Sequence, residues 1–434
     1  MKTPSLAVAL VCACVALIGC YTTTPSSRDA RVAAYLAAQA DAPRETVSGT
    51  LTLEQAMRLA TDRSATIAAA RANWDALRAS IDSAVEIENP ELRIGDLNLQ
   101  DFTEQAPGVD VRIRVRPPRP IEGDAQRAQA VAQAREAESR LHAEELAVRT
   151  MVRLRYVEVL LTRDEVASRS ALRDAAAELV TATERQLAEG RKTKLDLAQV
   201  EFERERAAFE AAGAIDAQQH AESELAELVG AALPLTLAEI EPVAILPGLD
   251  VCVAEGLSQN PEVEEKLARL DEAHALLDEE KTQQIPWISY LDLGYTFAPN
   301  TDDPLGFFVG AGVTLPIFDT NSAGVTAAEA AVKAREAEVD GEISRAGASL
   351  RTLHRRAELT SKVYTHFKTK TRPAADRALE EAQRALESST ITDVEFLEAK
   401  IRAMDTRARE DDLQRDAALA ALALDEVGEC VHPK

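Results

Sequence analysis

Aromatic residues, positive charge and long apolar runs are all scarce in this sequence of 434 residues. Aromatics make up 4% of the chain, and 49 Lys and Arg stand against 73 Asp and Glu, which gives a net charge of −24. Because phosphate binding needs a basic face, this balance argues against a nucleic-acid partner. What is abundant is Ala, Glu, Arg and Leu, the composition of long helices and coiled coils.

Motifs for chemistry are also missing. The six histidines are scattered without the pair spacing of a metal site, and there is no Cys-x-x-Cys motif, nucleophile elbow or phosphate-binding loop. We therefore expect no catalytic residue, no metal and no cofactor, in a protein that is not an enzyme. Acidic residues are numerous, but in helices they are expected on solvated faces.

The segment 1–19 has the pattern of a signal peptide. Lys2 gives a positive start, and the apolar run from Leu6 to Ile18 is too short to span a bilayer as a helix. The run ends in "LIGC", which resembles a bacterial lipobox; an ordinary secretory signal is the alternative. The lipobox implies that Cys20 becomes the lipid-modified, palmitate-bearing first residue, with 20–50 as a flexible tether. Tyr21 follows where an aspartate would suggest inner-membrane retention, so we expect sorting to the outer membrane.

The cysteine count changes once the signal is removed. Cys12 and Cys14 leave with it and Cys20 carries lipid, so Cys252 and Cys430 remain in an oxidising compartment. The sequence leaves two interpretations open for this pair, a disulfide or two buried free thiols.

The chain repeats itself. "LEQAMRLATDRSATI" begins at Leu53 and "LDVCVAEGLSQNPEV" at Leu249, and both look like starts of amphipathic helices. A proline follows each at the same distance, Pro90 and Pro286. We therefore predict a duplicated domain, with structural repeats at 51–233 and 249–428, a linker at 234–248 and a tail at 429–434.

Each repeat has the pattern of a helix, a β-hairpin, a long helix, a turn and a helix. In the first repeat we predict a hairpin over 91–116, a long helix over 121–187 and a helix over 197–229. In the second we predict a hairpin over 287–316, a long helix over 321–386 and a helix over 397–427. Pro373 lies inside the second long helix and predicts a kink there.

The strands alternate between apolar and polar residues. Val109, Val111, Ile113 and Val115 share one face, while Asp110, Arg112, Arg114 and Arg116 share the other. In the second hairpin we expect Trp287 and Ser289 on the same face as Leu291, Leu293, Tyr295 and Phe297. Strands of about ten residues with aromatic ends match transmembrane β-strands, and a packed soluble hairpin is the alternative. Four strands cannot close a barrel alone.

The order of these features resembles the TolC family of outer-membrane efflux proteins. The resemblance covers about residues 50–430, and the segments that carry it are "LTLEQAMRLA", "NPEL", "LPIFDTNSAG" and the helix-tip segments "AEGRKTKLDLAQ" and "ESSTITDVEFLEA". It implies a fold that is mainly α with a small β part, in which three chains close a 12-stranded β-barrel and a long α-helical coiled-coil barrel.

The resemblance also implies a function and partners. A homotrimer would form the outer-membrane channel, or exit duct, of a tripartite efflux or type I secretion system, lipid-anchored in the cell outer membrane and extending into the periplasm. Its partners would be a periplasmic adaptor (a membrane fusion protein), an inner-membrane pump and outer-membrane lipid. The alternative is a periplasmic coiled-coil scaffold or adaptor-like lipoprotein without a pore.

Candidate functional residues lie at the two helix tips and at one turn. In the family the tips dock the adaptor and form the aperture; here they comprise Gly190, Lys192, Thr193, Leu195, Asp196, Ser388, Ser389, Thr390, Thr392 and Asp393. Asp196 and Asp393 either cap the returning helices or form an acidic ring that favours cations. At the strand-to-helix turn, Pro316 ends strand pairing, Phe318 sits at the membrane interface, and Asp319 or Asn321 caps the helix.

Overall fold

The computed structural model describes residues 28–41, 49–84, 89–95, 109–119, 122–240, 246–297 and 305–428. Residues 1–46 and 47–434 form two separate units. In the first unit the structure describes helix α1 (Arg28–Asp41). The predicted signal peptide, the lipidation residue Cys20 and Cys430 lie outside the described residues.

The described elements of the second unit confirm a fold that is mainly α with a small β part. Its helices, in chain order, are α2 (Leu53–Arg63), α3 (Ala65–Ser83), α4 (Glu122–Ala188), α5 (Lys194–Val229), α6 (Leu249–Ser258), α7 (Pro261–Thr282), α8 (Ser322–His366), α9 (Arg372–Glu387) and α10 (Asp393–Gly428). Its strands are β1 (Glu91–Gly95), β2 (Val109–Val115), β3 (Trp287–Phe297) and β4 (Leu305–Thr314).

The first helix of each repeat is broken in two, where the sequence suggested one continuous helix. Ser64 separates α2 from α3 and accepts a hydrogen bond from the Ile67 amide at its Oγ. In the second repeat Asn260 caps α7, and Pro261 takes the first helical position, where its missing N–H costs nothing. Each break is therefore a helix stop followed at once by a strong N-cap.

Helix α4 is the longest element, with 67 residues, which correspond to about 100 Å. Its counterpart is interrupted: a π-helical turn at Phe367–Thr371 separates α8 from α9, just before Pro373. A proline lacks the amide that an α-helix needs at that point, so the carbonyls upstream adopt wider spacing. The two returning helices, α5 and α10, begin slightly earlier than the predicted positions 197 and 397 because a capping threonine precedes each.

The π-helical turn adds one residue to the second repeat. Before the turn, buried residues of α4 have buried counterparts in α8 at a constant difference in residue number, and Tyr156 and His354 are one such pair. Both side chains bond a backbone carbonyl of the segments that lead into or out of the repeats: Tyr156 Oη lies 2.7 Å from Ala238 O, and His354 Nε2 lies 2.8 Å from Pro247 O. After the turn, the cap residue Thr193 recurs as Thr392, and the offset is longer by one position.

The main core lies where α4 packs on α2, α5 and the chain after α5. Tyr156 is fully buried there beside Val152 and Leu225. Its hydroxyl also lies 2.8 Å from Leu51 O, and Leu51 forms an isolated parallel bridge with Leu237. Tyr156 of the long helix thus ties together the two ends of the first repeat. Within the part of the chain described, no helix is both long enough and apolar enough to cross a membrane.

The four strands form one antiparallel sheet in the order β1-β2-β3-β4, so that β2 and β3 join the two repeats. Strands β1 and β4 are its edges. Arg112 is opposite Arg93 on one side and Gly294 on the other, and Arg114 is opposite Asp292. The sheet therefore brings charged residues of three strands onto one face.

A β-bulge in β3 places Trp287 and Ile288 on the opposite faces of the sheet from those predicted. The register shifts between Ile288 and Tyr290, so that Ile288 pairs with Val313 and Trp287 with Thr314. Paired residues share a face; Ile288 therefore joins the apolar face and Trp287 the polar one, contrary to simple alternation. Trp287 donates its indole N–H to Pro117 O at 3.0 Å, and this bond fixes it on the polar side.

Candidate functional site

The first helix tip is a tight turn between α4 and α5. Gly190 has φ +73°, a left-handed conformation that favours glycine. The amides of Arg191 and Lys192 both donate to Gln186 O, at 2.8 and 3.3 Å. Thr193 and Asp196 then form a reciprocal capping box, in which each side chain bonds the other's backbone amide. Asp196 therefore caps the returning helix, one of the two roles open for it.

The second tip copies the first with different residues. Ser389 takes the left-handed position with φ +54°, and the amides of Thr390 and Ile391 donate to Ala385 O. Thr392 is the cap residue, but its partner is Glu395, whose Oε2 accepts from the Thr392 amide at 2.8 Å. The capping role expected of Asp393 is therefore wrong. A T-x-x-E pattern in the sequence signals this box.

The two tips lie side by side. Leu179 and Ala182 of α4 pack with Val394 and Leu397 of α10, and Arg185 Nη1 lies 3.9 Å from Asp393 Oδ2. The threonine hydrogen bonds lower the pKa of Asp196 and of Glu395, and the charge of nearby Lys192 adds to both effects. The structure thus gathers the predicted tip residues of both repeats into one surface. Leu195 is exposed on it, as are Ser388 and Ser389.

The strand-to-helix turn at 315–321 is built from apolar residues in solvent. Strand β4 ends at Thr314, and Pro316 follows outside the ladder. Phe318 is fully exposed. The side chain of neither predicted cap, Asp319 or Asn321, bonds a helix amide; instead Asp319 Oδ1 accepts from the Asn321 amide at 2.9 Å.

Asn321 ties this turn to the preceding helix. It has φ +50°, and its side-chain Nδ2 donates to Glu280 O at 3.0 Å and to Glu280 Oε2 at 2.6 Å. A side chain at Gly324 would collide with Asn321 and Glu280. The start of α8 is therefore bonded to the end of α7, and these are the two helices that flank the second hairpin.

The sheet has one apolar and one polar face. The apolar face is exposed, and its members are Leu92, Ile94, Val111, Ile113, Leu291, Leu293, Tyr295, Phe307, Val309 and Val313. On the polar face Arg114 makes two bonds of 2.7 Å to the carboxylate of Asp292, and its guanidinium lies 4.0 Å from the Tyr290 ring centre. An apolar sheet face open to solvent is unusual for a soluble monomer.

A family comparison matches the second half of the chain. Residues 253–427 fit the family model described as "Outer membrane efflux protein", a range that includes the second hairpin, turn and tip. The second half of the chain is thus similar to the outer membrane efflux proteins. The similarity of the chain to a named relative reaches beyond that range: the chain is 27% identical over 289 residues to the cobalt-zinc-cadmium resistance protein CzcC of Cupriavidus metallidurans, an alignment that spans 64% of this chain and 66% of the relative.

Solved structures show the same fold. The channel protein CusC has a TM-score of 0.69 with this chain at 16% identity, over 89% of this chain and 94% of CusC. The outer membrane protein VceC of Vibrio cholerae has a TM-score of 0.67 at 16% identity, over 86% of this chain and 95% of VceC. Sequence identity this low establishes the architecture and leaves the residues of each site to be argued from this chain.

The sequence alone did not predict the partners of the arginines on the polar face. Arg114 was expected on the polar face, but its ion pair with Asp292 joins the two repeats and depends on strand register. Glycines on the facing strands are equally part of the site: a Cβ at Gly294 would lie 2.8 Å from Arg112 Cγ, and one at Gly312 would meet the Tyr290 ring. The run of alternating glycines in "GFFVGAGV" was the available signal.

Two further features concern chemistry. Cys252 is fully buried in a small core with Leu350 and Leu424, and it is disulfide-bonded. The Cys430 that the sequence offers as its partner lies outside the described residues. Among the residues that the structure describes, no group of three or more His, Cys, Asp or Glu is arranged to hold a metal ion.

Proposed function

We propose that this protein is the exit duct of a tripartite efflux or type I secretion system, through which cargo passes from a periplasmic adaptor and an inner-membrane pump to the exterior. The observation that carries the proposal is the sheet: one face is apolar and exposed, the other is charged, and two edges are open. Lipid on one side and water on the other satisfy this arrangement.

The open edges support a homotrimer. Backbone groups on β1 and β4 need partners inside a membrane, where no water is available to them. Pairing β4 of one copy with β1 of the next removes both edges, and three copies of a four-stranded sheet supply a barrel of twelve strands.

The helices support the same assembly through the internal repeat. On α10, Val394 and Ile401 pack against residues of α4, and Ala408 is buried. The equivalent positions on α5, at the offset that relates Thr193 to Thr392, are Leu195, Phe202 and Phe209, which are 68%, 67% and 80% exposed. We call these three residues the α5 stripe. Within one chain, α10 docks on α4. If α5 docks in the same way on α8 and α9 of the next copy, that copy covers the α5 stripe.

Charge favours that pairing. The segment 345–372, from α8 into α9, carries eight Lys or Arg and one acidic residue, Glu358. The facing part of α5, over 210–227, carries five acidic residues and no Lys or Arg. Opposite charges across an interface fix the register and reject wrong pairings. Three of these acidic residues, Glu210, Glu222 and Glu224, already pair with arginines of α4, so the support from charge comes from the overall sign of the two segments.

The remaining parts of the proposal concern location and docking. Cys20 carries the lipid that anchors the chain in the outer membrane, and the paired tips at 188–196 and 387–395 face the periplasm and receive the adaptor. The exposed side chains available for docking there include Ser388 and Ser389. CzcC is named for cobalt, zinc and cadmium resistance, so salts of these metals are the first cargo that we propose to test.

Single-channel conductance in planar bilayers tests the pore. The full-length protein, purified in detergent as a trimer, should insert and give discrete openings. A stable protein that never conducts, with or without Asp196 and Asp393 neutralised, would favour a periplasmic scaffold without a pore. Radiolabelling with palmitate, compared between the parent protein and Cys20→Ala, tests the anchor separately.

A further inference from the structure

The polar face of the sheet carries an unbalanced row of arginines. Arg93 and Arg112 face each other across β1 and β2, and the row continues through Gly294 to Phe308 without an acidic residue. Like charges directly opposite each other destabilise a strand pair. The next row, by contrast, runs Glu91, Arg114 and Asp292 and contains two carboxylates.

Arg112 is held in place from several sides. It forms an ion pair with Asp110, and its guanidinium lies 5.0 Å from the Phe308 ring centre. The missing side chain of Gly294 leaves room for its stem, since a Cβ there would lie 2.8 Å from Cγ. A guanidinium stacked over an aromatic ring keeps its charge at a fixed place on the sheet.

The carboxylates lie beneath the arginines. Asp110 and Asp292 have side chains 7% and 3% exposed, whereas Arg112 and Arg93 are 40% and 48% exposed. Glu91 is the exposed acid nearby, and it is shared by Arg93 and Arg116. Water in contact with this face therefore meets three exposed guanidinium groups, those of Arg93, Arg112 and Arg116, and one exposed carboxylate, that of Glu91.

We propose that Arg93 and Arg112 form an anion-favouring section of the pore wall, which raises the passage of small anions relative to cations. The inference rests on the proposed pore, because the polar face of the sheet lines the lumen only if the apolar face meets lipid. Each copy contributes one such pair, so the charges surround the lumen. Fixed charge along a water-filled pore attracts ions of opposite sign and slows those of the same sign.

The test is the reversal potential of single channels in a potassium chloride gradient. Arg93→Gln is the first variant, because the side chains of Arg93 and its partner Glu91 are both partly exposed, and we expect the fold to tolerate the loss of an exposed ion pair. The double variant Arg93→Gln/Arg112→Gln follows. We expect the ratio of chloride to potassium permeability to fall about twofold for the single variant and further for the double one.

Arg135→Gln is the matched control, since Arg135 forms an exposed pair with Asp271 on helices α4 and α7, away from the sheet. Two outcomes overturn the inference and leave the pore intact. In the first, the channels conduct but neither arginine variant alters the ratio of chloride to potassium permeability. In the second, Arg135→Gln alters that ratio as much as the arginine variants of the sheet do. Parent protein that never conducts overturns the pore itself and this inference with it.

Discussion

The α5 stripe offers a direct test of how copies of the chain assemble. Replacing Phe202 and Phe209 together by Asp should prevent trimer formation without unfolding the protein, because both rings point into solvent within one chain. If the next copy covers them, the substitution instead buries two charges in an apolar contact, where they have no partner.

The size of the effect follows from exposure. The two rings are 67% and 80% exposed, and a phenylalanine that buries fully covers roughly 200 Å². About 150 Å² per ring is therefore available for burial, worth roughly 3–4 kcal/mol each at about 25 cal/mol per Å². Loss of rotational and side-chain freedom on association consumes part of this. A weakening of each contact by at least about a hundredfold is still expected.

Light scattering coupled to size-exclusion chromatography in detergent measures the outcome. The double variant should elute as a monomer, with unchanged helix content by circular dichroism. Val251→Asp is the control, because Val251 is also an exposed apolar residue on a helix but lies on α6, outside the α5 stripe. A double variant that remains trimeric at the same protein concentration as the parent would refute the assignment of this interface.

Three further predictions concern single chains. Acid should loosen both tips: the folded state lowers the pKa of Asp196 and Glu395, so their contribution is complete above the ordinary values of 3.8 and 4.5 and is lost as pH falls through the lowered ones. Hydrogen exchange of the amides at 189–196 and 388–395 measures this loosening, and protection that stays the same as the pH falls through these values would contradict it. Gly230→Ala should destabilise the folded chain by about 1–2 kcal/mol, because Gly230 has φ +65° and Arg63 fills the space that a side chain would need. Gly213→Ala, inside α5, should stabilise the folded chain by about 0.5–1 kcal/mol. Thermal melts that rank the two variants in the opposite order would contradict this. Cys252→Ser should cost about 2–5 kcal/mol, and peptide mapping without reductant should find Cys252 joined to Cys430; a free thiol at Cys252 would contradict it.

The fold class was predictable because it depends on patterns that persist over long stretches. The absence of proline between Ile121 and Leu187 predicted one long helix, and α4 differs from that range by one residue at each end. Alternation over 287–297 predicted a strand. Short features depended on single residues: the break at Ser64 follows from its cap, which a helical pattern on both sides conceals.

The site was predictable by position more than by role. The tips were located because turn residues interrupt helical periodicity at 188–193 and 387–392. Glu395 rather than Asp393 completes the cap because it lies three positions after Thr392, so the assignment depends on recognising Thr392 as the cap residue. The bulge at Ser289 moves Trp287 to the other face, and strand periodicity alone carries no sign of it. Ion pairs between repeats, such as Arg114 with Asp292, require the register of β2 on β3.

The π-helical turn at Phe367–Thr371 has a geometric consequence for the assembled wall. One additional residue in a helix of about 3.6 residues per turn rotates everything beyond it by about 100°. Helix α9 therefore presents a different side to its neighbours from the one that continuation of α8 would give, although the tip itself keeps the design of the first repeat. The six tips of a trimer would alternate between two kinds, so the ring has threefold and not sixfold symmetry. Deleting a single residue at the turn would shorten the helix very little but would turn the whole second tip about its axis.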